Sequence, residues 1–294
     1  MFNRLYTTFN LRSLLLLCFV FIWPVSFAYA SGAETASKKS GYTFGVFPFL
    51  AITSLEGVFV PIASELSHAL DRDVLLKSTD TFEKFMQNLE QQEYDIAFIQ
   101  PFDYVTIARK AGYLPVATRN EPLNADFLVL EKSPLKEGKE LKGKVIGLPP
   151  KVAAVSYLAN ISLIQIGLDI RHDVKFRHFS SHQSCMQQLL IGDIDVCVAS
   201  RPVQRAFESQ MNVKFRAIMT TPSITQTLFV VHSRVPEKER NLIKKTILST
   251  TLSGVKPEFK IIFKSVNNRF FRPVDDAEYD QVIIYKKLLE KYGE

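Results

Sequence analysis

Gln100, Asp103 and Tyr104 fall within the segment YDIAFIQPFDYVTIARKAG (residues 94–112), directly after the apolar run Ile96-Ala97-Phe98-Ile99. An amide, a carboxylate and a phenol so close together can hold a ligand by hydrogen bonds, and Phe102 beside them can hold an apolar part of it. A second group is Ser181-His182, three residues before Cys185. A histidine and a thiol on one helical face would be the parts of a nucleophilic enzyme. Lys151, Ser156 and Ser200 complete the polar candidates, and the Phe47-Pro48-Phe49 turn supplies an aromatic wall. The sequence contains no HExxH, no Cys-x-x-Cys, no Gly-rich phosphate loop and no paired catalytic carboxylates.

Strands and helices in alternation must position these residues. Ile96–Ile99 is too short for a helix and right for a buried strand. Pro101 suits the first helical position after it and Gly112 the residue past the helix end. Upstream, residues 42–47 and 74–77 read as strands, with Phe59, Ala63, Leu66 and Leu70 at helical spacing between them. Phe82, Phe85, Met86 and Leu89 form a second stripe. Residues 127–130 are another strand, and a second alternating set follows. Its strands are 145–148, 174–178, 194–199 and 213–219, and its helices 152–166, 183–191 and 202–210. Residues 227–231 lead back, and helices from Pro236 and over 276–292 close the chain.

The pattern predicts an α/β fold of two lobes, each a mixed sheet flanked by helices, joined by two hinge strands near 127–131 and 227–231. Residues 42–127 and 228–294 would form lobe 1 and residues 128–227 lobe 2, with the strand ends facing a shared cleft.

With 294 residues, 47% of them hydrophobic, the chain is long enough for this core. The net charge of +6 is spread as single Lys and Arg residues, so no nucleic-acid footprint is expected. Arg4 and Arg12, the apolar residues 14–22 and Ala28-Tyr29-Ala30 read as a secretory signal, with cleavage after Ala30 and a flexible lead-in over 31–41. Export places Cys185 and Cys197 in an oxidising compartment, which favours a disulfide. Their placement on a helix and the strand after it, with axes about 10 Å apart, favours two buried thiols. The pairing stays open.

The segments DIAFIQPFDY, LKGKVIGLPP, IQIGLDI, FSSHQSCMQQLLIGDIDVCVAS and LFVVHSRVP follow one another in an order and spacing that resemble the periplasmic substrate-binding proteins of phosphate, phosphite and phosphonate ABC importers. The likeness covers nearly all of residues 42–252. It implies a type II periplasmic-binding-protein-like fold that traps a small ligand, a phosphorus oxyanion, for an ABC permease or a membrane sensor. It further implies a monomer that is not an enzyme and needs no cofactor or metal. In the family the loop after the third strand reads Gly-Pro-x-x-Tyr; here Tyr104 matches and Gln100 departs. Ser181 and His182 match the start of a second-lobe helix. The family's phosphate cradle, Gly-Ser-Thr-Ser-Gly, is replaced by Lys151-Val152-Ala153-Ala154-Val155, which carries no hydroxyl. Ser200-Arg201 stand where some relatives place an acid for a ligand amine.

A tetrahedral anion would then rely on helix N–H groups, Lys151, His182 and Tyr104, with Ser156 restoring one hydroxyl if the helix start is shifted. An apolar ligand would fit Val152, Phe47, Phe49 and Phe102. The rival to a binding protein is an enzyme on the same scaffold using Cys185 or Cys197.

Overall fold

The computed structural model describes residues 40–292. The expected signal segment and most of the lead-in lie outside the described residues. Among the described residues no helix is long and apolar enough to cross a membrane.

The first half runs β1 (Tyr42–Val46), α1 (Ile52–Leu70), β2 (Val74–Lys77), α2 (Phe82–Glu90), β3 (Ile96–Ile99), a short α3 (Pro101–Asp103) and β4 (Tyr113–Arg119). A second set follows: β5 (Ala125–Leu130), β6 (Val145–Leu148), α4 (Ala154–Gln165), β7 (Lys175–His178), α5 (His182–Leu190), β8 (Val196–Ser200), α6 (Arg201–Met211) and β9 (Phe215–Thr220). The chain then returns through β10 (Leu228–His232), α7 (Glu237–Ser249), α8 (Pro257–Lys260), β11 (Phe271–Arg272) and α9 (Asp280–Lys291).

Two mixed sheets result, a six-stranded one ordered β11-β4-β10-β3-β1-β2 and a five-stranded one ordered β7-β6-β8-β5-β9. In the first, β3 is fully buried because it lies between parallel β1 and antiparallel β10. Its residue Phe98 touches the rings of Phe47, Phe49, Phe59 and Phe229. The outermost strands are short or charged. β11 has two residues, β2 ends at the exposed Lys77, and β7 shows Lys175, Arg177 and His178 outward. On β9, Arg216 donates to the carbonyls of Ser133 and Leu135 at 2.8 and 2.7 Å, tying the loop after β5 to that edge.

The chain changes sheet between Arg119 and Ala125 and again between Thr220 and Leu228. These two crossing segments pair with each other, Leu123 N–H donating to the Ile224 carbonyl at 2.8 Å and Ile224 N–H to that of Leu123 at 2.9 Å. The strands expected to act as hinges, near 127–131 and 227–231, each sit inside one sheet. The crossings precede them, because the polar run Asn120–Asn124 cannot continue a buried strand.

The helix expected to start at Pro101 and end before Gly112 is instead α3 followed by a π-helical turn over Tyr104–Ala108, where Arg109 N–H reaches the Tyr104 carbonyl at 2.9 Å. Gly112 ends it at φ +87°, a left-handed conformation that favours glycine. Helix α4 is buried on nearly every side, as its uniformly apolar sequence requires, since it packs on β8 and β5 beneath and on α9 above.

Cys185 and Cys197 form a disulfide with Cα atoms 5.9 Å apart. The expected axis separation overstated the gap, because both side chains point into the helix–sheet interface. Gly147 on the neighbouring β6 leaves the room, since a Cβ there would stand 2.9 Å from the Cys185 sulfur. With both sulfurs so joined, neither is a free nucleophile.

Candidate ligand-binding cavity

Three helices of the second lobe start at one point. α4 begins at Ala153-Ala154 without a side-chain cap. α5 begins after Ser181, whose hydroxyl accepts from Ser184 N–H at 3.1 Å in a capping box, and α6 begins after Ser200 with Pro202 in its first turn. Their free N–H groups make this region electropositive. Opposite stand Phe47 and Phe49, ring centroids 4.6 Å apart and stacked. Between the two lobes the crossing segments contribute Arg119, Gln226 and Thr227. The cavity between them has a volume of about 40 Å³, room for roughly three waters.

Three residues lining this cavity each carry a buried polar atom without a hydrogen-bond partner: Arg119 Nε, His182 Nδ1 and Thr227 Oγ1. The residues carrying them are 5%, 8% and 6% exposed. Buried polar groups ordinarily find partners, so three orphans around one cavity mark a site built for a polar occupant. Arg119 is ion-paired to Glu121 at 2.9 Å, donates to the Ile262 carbonyl and stacks 4.9 Å over Phe263. Burial lowers its guanidinium to about 10, against the opposing pull of Glu121. Glu121 also meets Arg205 of α6 at 3.2 Å, so it joins the two lobes through charge.

Gln100 closes the back of the cavity. Its Oε1 accepts from Ala154 N–H at 2.8 Å, and its Nε2 donates to the Val152 carbonyl and to Asp103 Oδ1, both at 2.9 Å. The other Asp103 oxygen has no partner, and burial pushes this carboxyl up to about 7 although the Gln100 bond pulls it down. Burial pulls His182 down to about 4, so its imidazole is neutral near neutral pH.

Of the residues singled out from the sequence, Phe47, Phe49, Gln100, His182 and Ser200 line the cavity. The others are placed elsewhere, each for a local reason. Tyr104 points away on the π-helical turn, its hydroxyl bonded to Asp276 and its ring against Tyr279. Phe102 packs on Tyr157 at 4.7 Å, a contact between the lobes beside the cavity. Ser156 lies one turn into α4, where its hydroxyl returns to the carbonyls of Pro149 and Pro150. Lys151 is exposed on the turn ahead of α4. Ser181 spends its hydroxyl on the α5 cap and faces an outer cleft of about 530 Å³ that it shares with Pro48, Asp80 and Gln183. Arg119 and Thr227 were missed. The signal available was a cation closing the apolar strand VAT before Asn120, and a threonine opening the LFVVH strand.

The two buried titrating groups oppose each other. Native Asp103 keeps a proton that the unfolded chain releases from about 3.8 upward, so its contribution is complete below that pH and is lost as pH rises through about 7. His182 is the reverse: its contribution is complete above 6.5 and is lost as pH falls through about 4. Their effects therefore offset one another between about 4 and 6.5. In urea titrations, Asp103→Asn should lose stability on acidification through this window, and His182→Gln should lose it as pH rises. Parallel pH profiles for both variants and the parent would contradict the assignment.

The family model described as ABC transporter, phosphonate, periplasmic substrate-binding protein matches residues 44–279. Among solved structures, PhnD1 from Prochlorococcus marinus, in complex with methylphosphonate, superposes with a TM-score of 0.73 at 18% identity, covering 86% of this chain and 99% of that one. A binding protein component of an ABC phosphonate transporter from Pseudomonas aeruginosa gives 0.71 at 13% identity, covering 86% and 88%. The aliphatic sulphonate binding protein SsuA from Escherichia coli gives 0.56 at 14% identity, covering 85% and 93%. No curated protein matches the sequence.

Proposed function

The chain belongs to the periplasmic substrate-binding proteins of phosphonate ABC transporters, and from that premise we propose that it holds a small phosphorus oxyanion in the cavity between its lobes and delivers it to the permease. The observation that carries this is that Arg119, His182 and Thr227, each with a buried, unpaired polar atom, line one cavity beneath three helix N-termini. Phe47 and Phe49 suit the carbon substituent of a phosphonate. Among the described residues lining the cavity there is no carboxylate to meet a ligand amine. Each sheet with its helices then acts as a lobe, and the paired segments 120–124 and 221–227 serve as the hinge. Arg4, Arg12 and Ala28-Tyr29-Ala30 support export of a chain starting at Ser31, and the short or charged sheet edges support a monomer.

Calorimetry against phosphate, phosphite, methylphosphonate and 2-aminoethylphosphonate tests the reading. Methylphosphonate is expected to bind and the amine-bearing ligand to bind worst. Thr227→Val removes an unsatisfied hydroxyl, so it should leave stability unchanged or higher while weakening methylphosphonate binding about two- to tenfold. If none of the four ligands binds at millimolar concentration, the reading falls.

A further inference from the structure

Helix α4 opens on Ala153, a residue type that cannot cap a helix with its side chain, and no side chain of its own neighbourhood does so. Its Ser156 N–H turns back to the Ala153 carbonyl at 2.9 Å. The N–H of Ala154 is instead taken by Gln100, 54 residues earlier and on the other lobe. Gln100 is fully hydrogen-bonded, and it is so by reaching across the lobes. It is 2% exposed, and both its bonds to the α4 start cross between lobes, while Asp103 fixes its remaining N–H. The carboxamide oxygen thus stands where an anion's oxygen would sit at a helix N-terminus.

We propose that Gln100 determines specificity by standing in for a ligand at α4: it clasps the lobes together and withholds the Ala154 N–H of the helix from anions. The proposal rests on the reading of this cavity as the ligand site. The three orphaned polar atoms around the same space point independently to an occupant, and they mark the part of the cavity that Gln100 leaves open. A solute therefore binds through Arg119, His182 and Thr227 rather than through the Ala154 N–H.

Small-angle scattering and methylphosphonate calorimetry on the mature chain at pH 8 provide the test. Gln100→Ala should enlarge the ligand-free radius of gyration and raise methylphosphonate affinity about tenfold, by freeing the Ala154 N–H. Gln100→Glu should also open the ligand-free protein, since a carboxylate cannot donate to Val152, but should lower the affinity about tenfold by placing a negative charge where the anion would bind. Ala154→Pro leaves Gln100 in place and suits the first helical position. It should open the protein with no gain in affinity, because the N–H is gone. Equal radii for all four proteins would overturn the clasp, and affinities that move in one direction in both Gln100 variants would reduce Gln100 to a packing residue. Should the radii change as expected while no variant binds methylphosphonate, the clasp stands and the phosphorus reading falls.

Discussion

Glu121→Ala should destabilise the protein by about 3–5 kcal/mol, the cost of leaving a buried charge without its partner. Arg119 is 5% exposed and meets Glu121 at 2.9 Å. Its other contacts, the Ile262 carbonyl and the Phe263 ring, carry no full charge. The second ion pair of Glu121, to Arg205, is a useful control. Arg205 is 43% exposed, so Arg205→Ala should cost no more than about 1 kcal/mol. Urea unfolding followed by circular dichroism separates the two. A Glu121→Ala loss as small as that of Arg205→Ala would show that water or another group relieves Arg119. Glu121→Gln should fall between them, because the amide can still accept from the guanidinium. Since Glu121 stands in a crossing segment and touches α6, its loss should also free the lobes from each other.

Phe98→Ala should cost about 3–5 kcal/mol as well, by a different route. Phe98 is fully buried, and its ring lies 4.8 Å from Phe229 and 5.0 Å from Phe59. Phe47 and Phe49 rest on it at 5.9 and 6.1 Å. Truncation leaves a void that this interlocked set of rings cannot collapse into without tilting the aromatic wall of the cavity. The variant should therefore lose methylphosphonate affinity along with stability, whereas Phe98→Leu should keep most of both. A stability loss under about 2 kcal/mol would mean that the rings repack freely.

The alternation that fixes the two lobes was legible because it depends on local periodicity: β3 stands where the apolar run Ile96–Ile99 placed it, and α5 begins beside the Ser181 cap. The cavity was legible only where a residue's own strand end or helix start aimed it there, as for Gln100, His182 and Ser200. Tyr104 was misplaced because the partners that hold it, Asp276 for its hydroxyl and Tyr279 for its ring, lie about 170 residues later in the chain and cannot be read from its own segment. Arg119 and Glu121 were missed since TRNEPLN has the composition of an exposed loop; their burial comes from the meeting of two lobes and α8's neighbours, not from the chain beside them. The Gln100 contact to Ala154 is hidden for the same reason. It pairs residues that only the closed arrangement brings together.

The sheet margins have a consequence for how copies of this chain meet one another. An unpaired strand margin is a template on which a second chain can add itself. Here β11 is two residues long, and β7 turns Lys175, Arg177 and His178 outward, so that two copies approaching along it meet like charges. On β9 the guanidinium of Arg216 ties down a loop that crowds the approach. That leaves β2, with the exposed Leu75 beside Lys77, as the weakest margin, and any drift toward fibrous self-association should begin there.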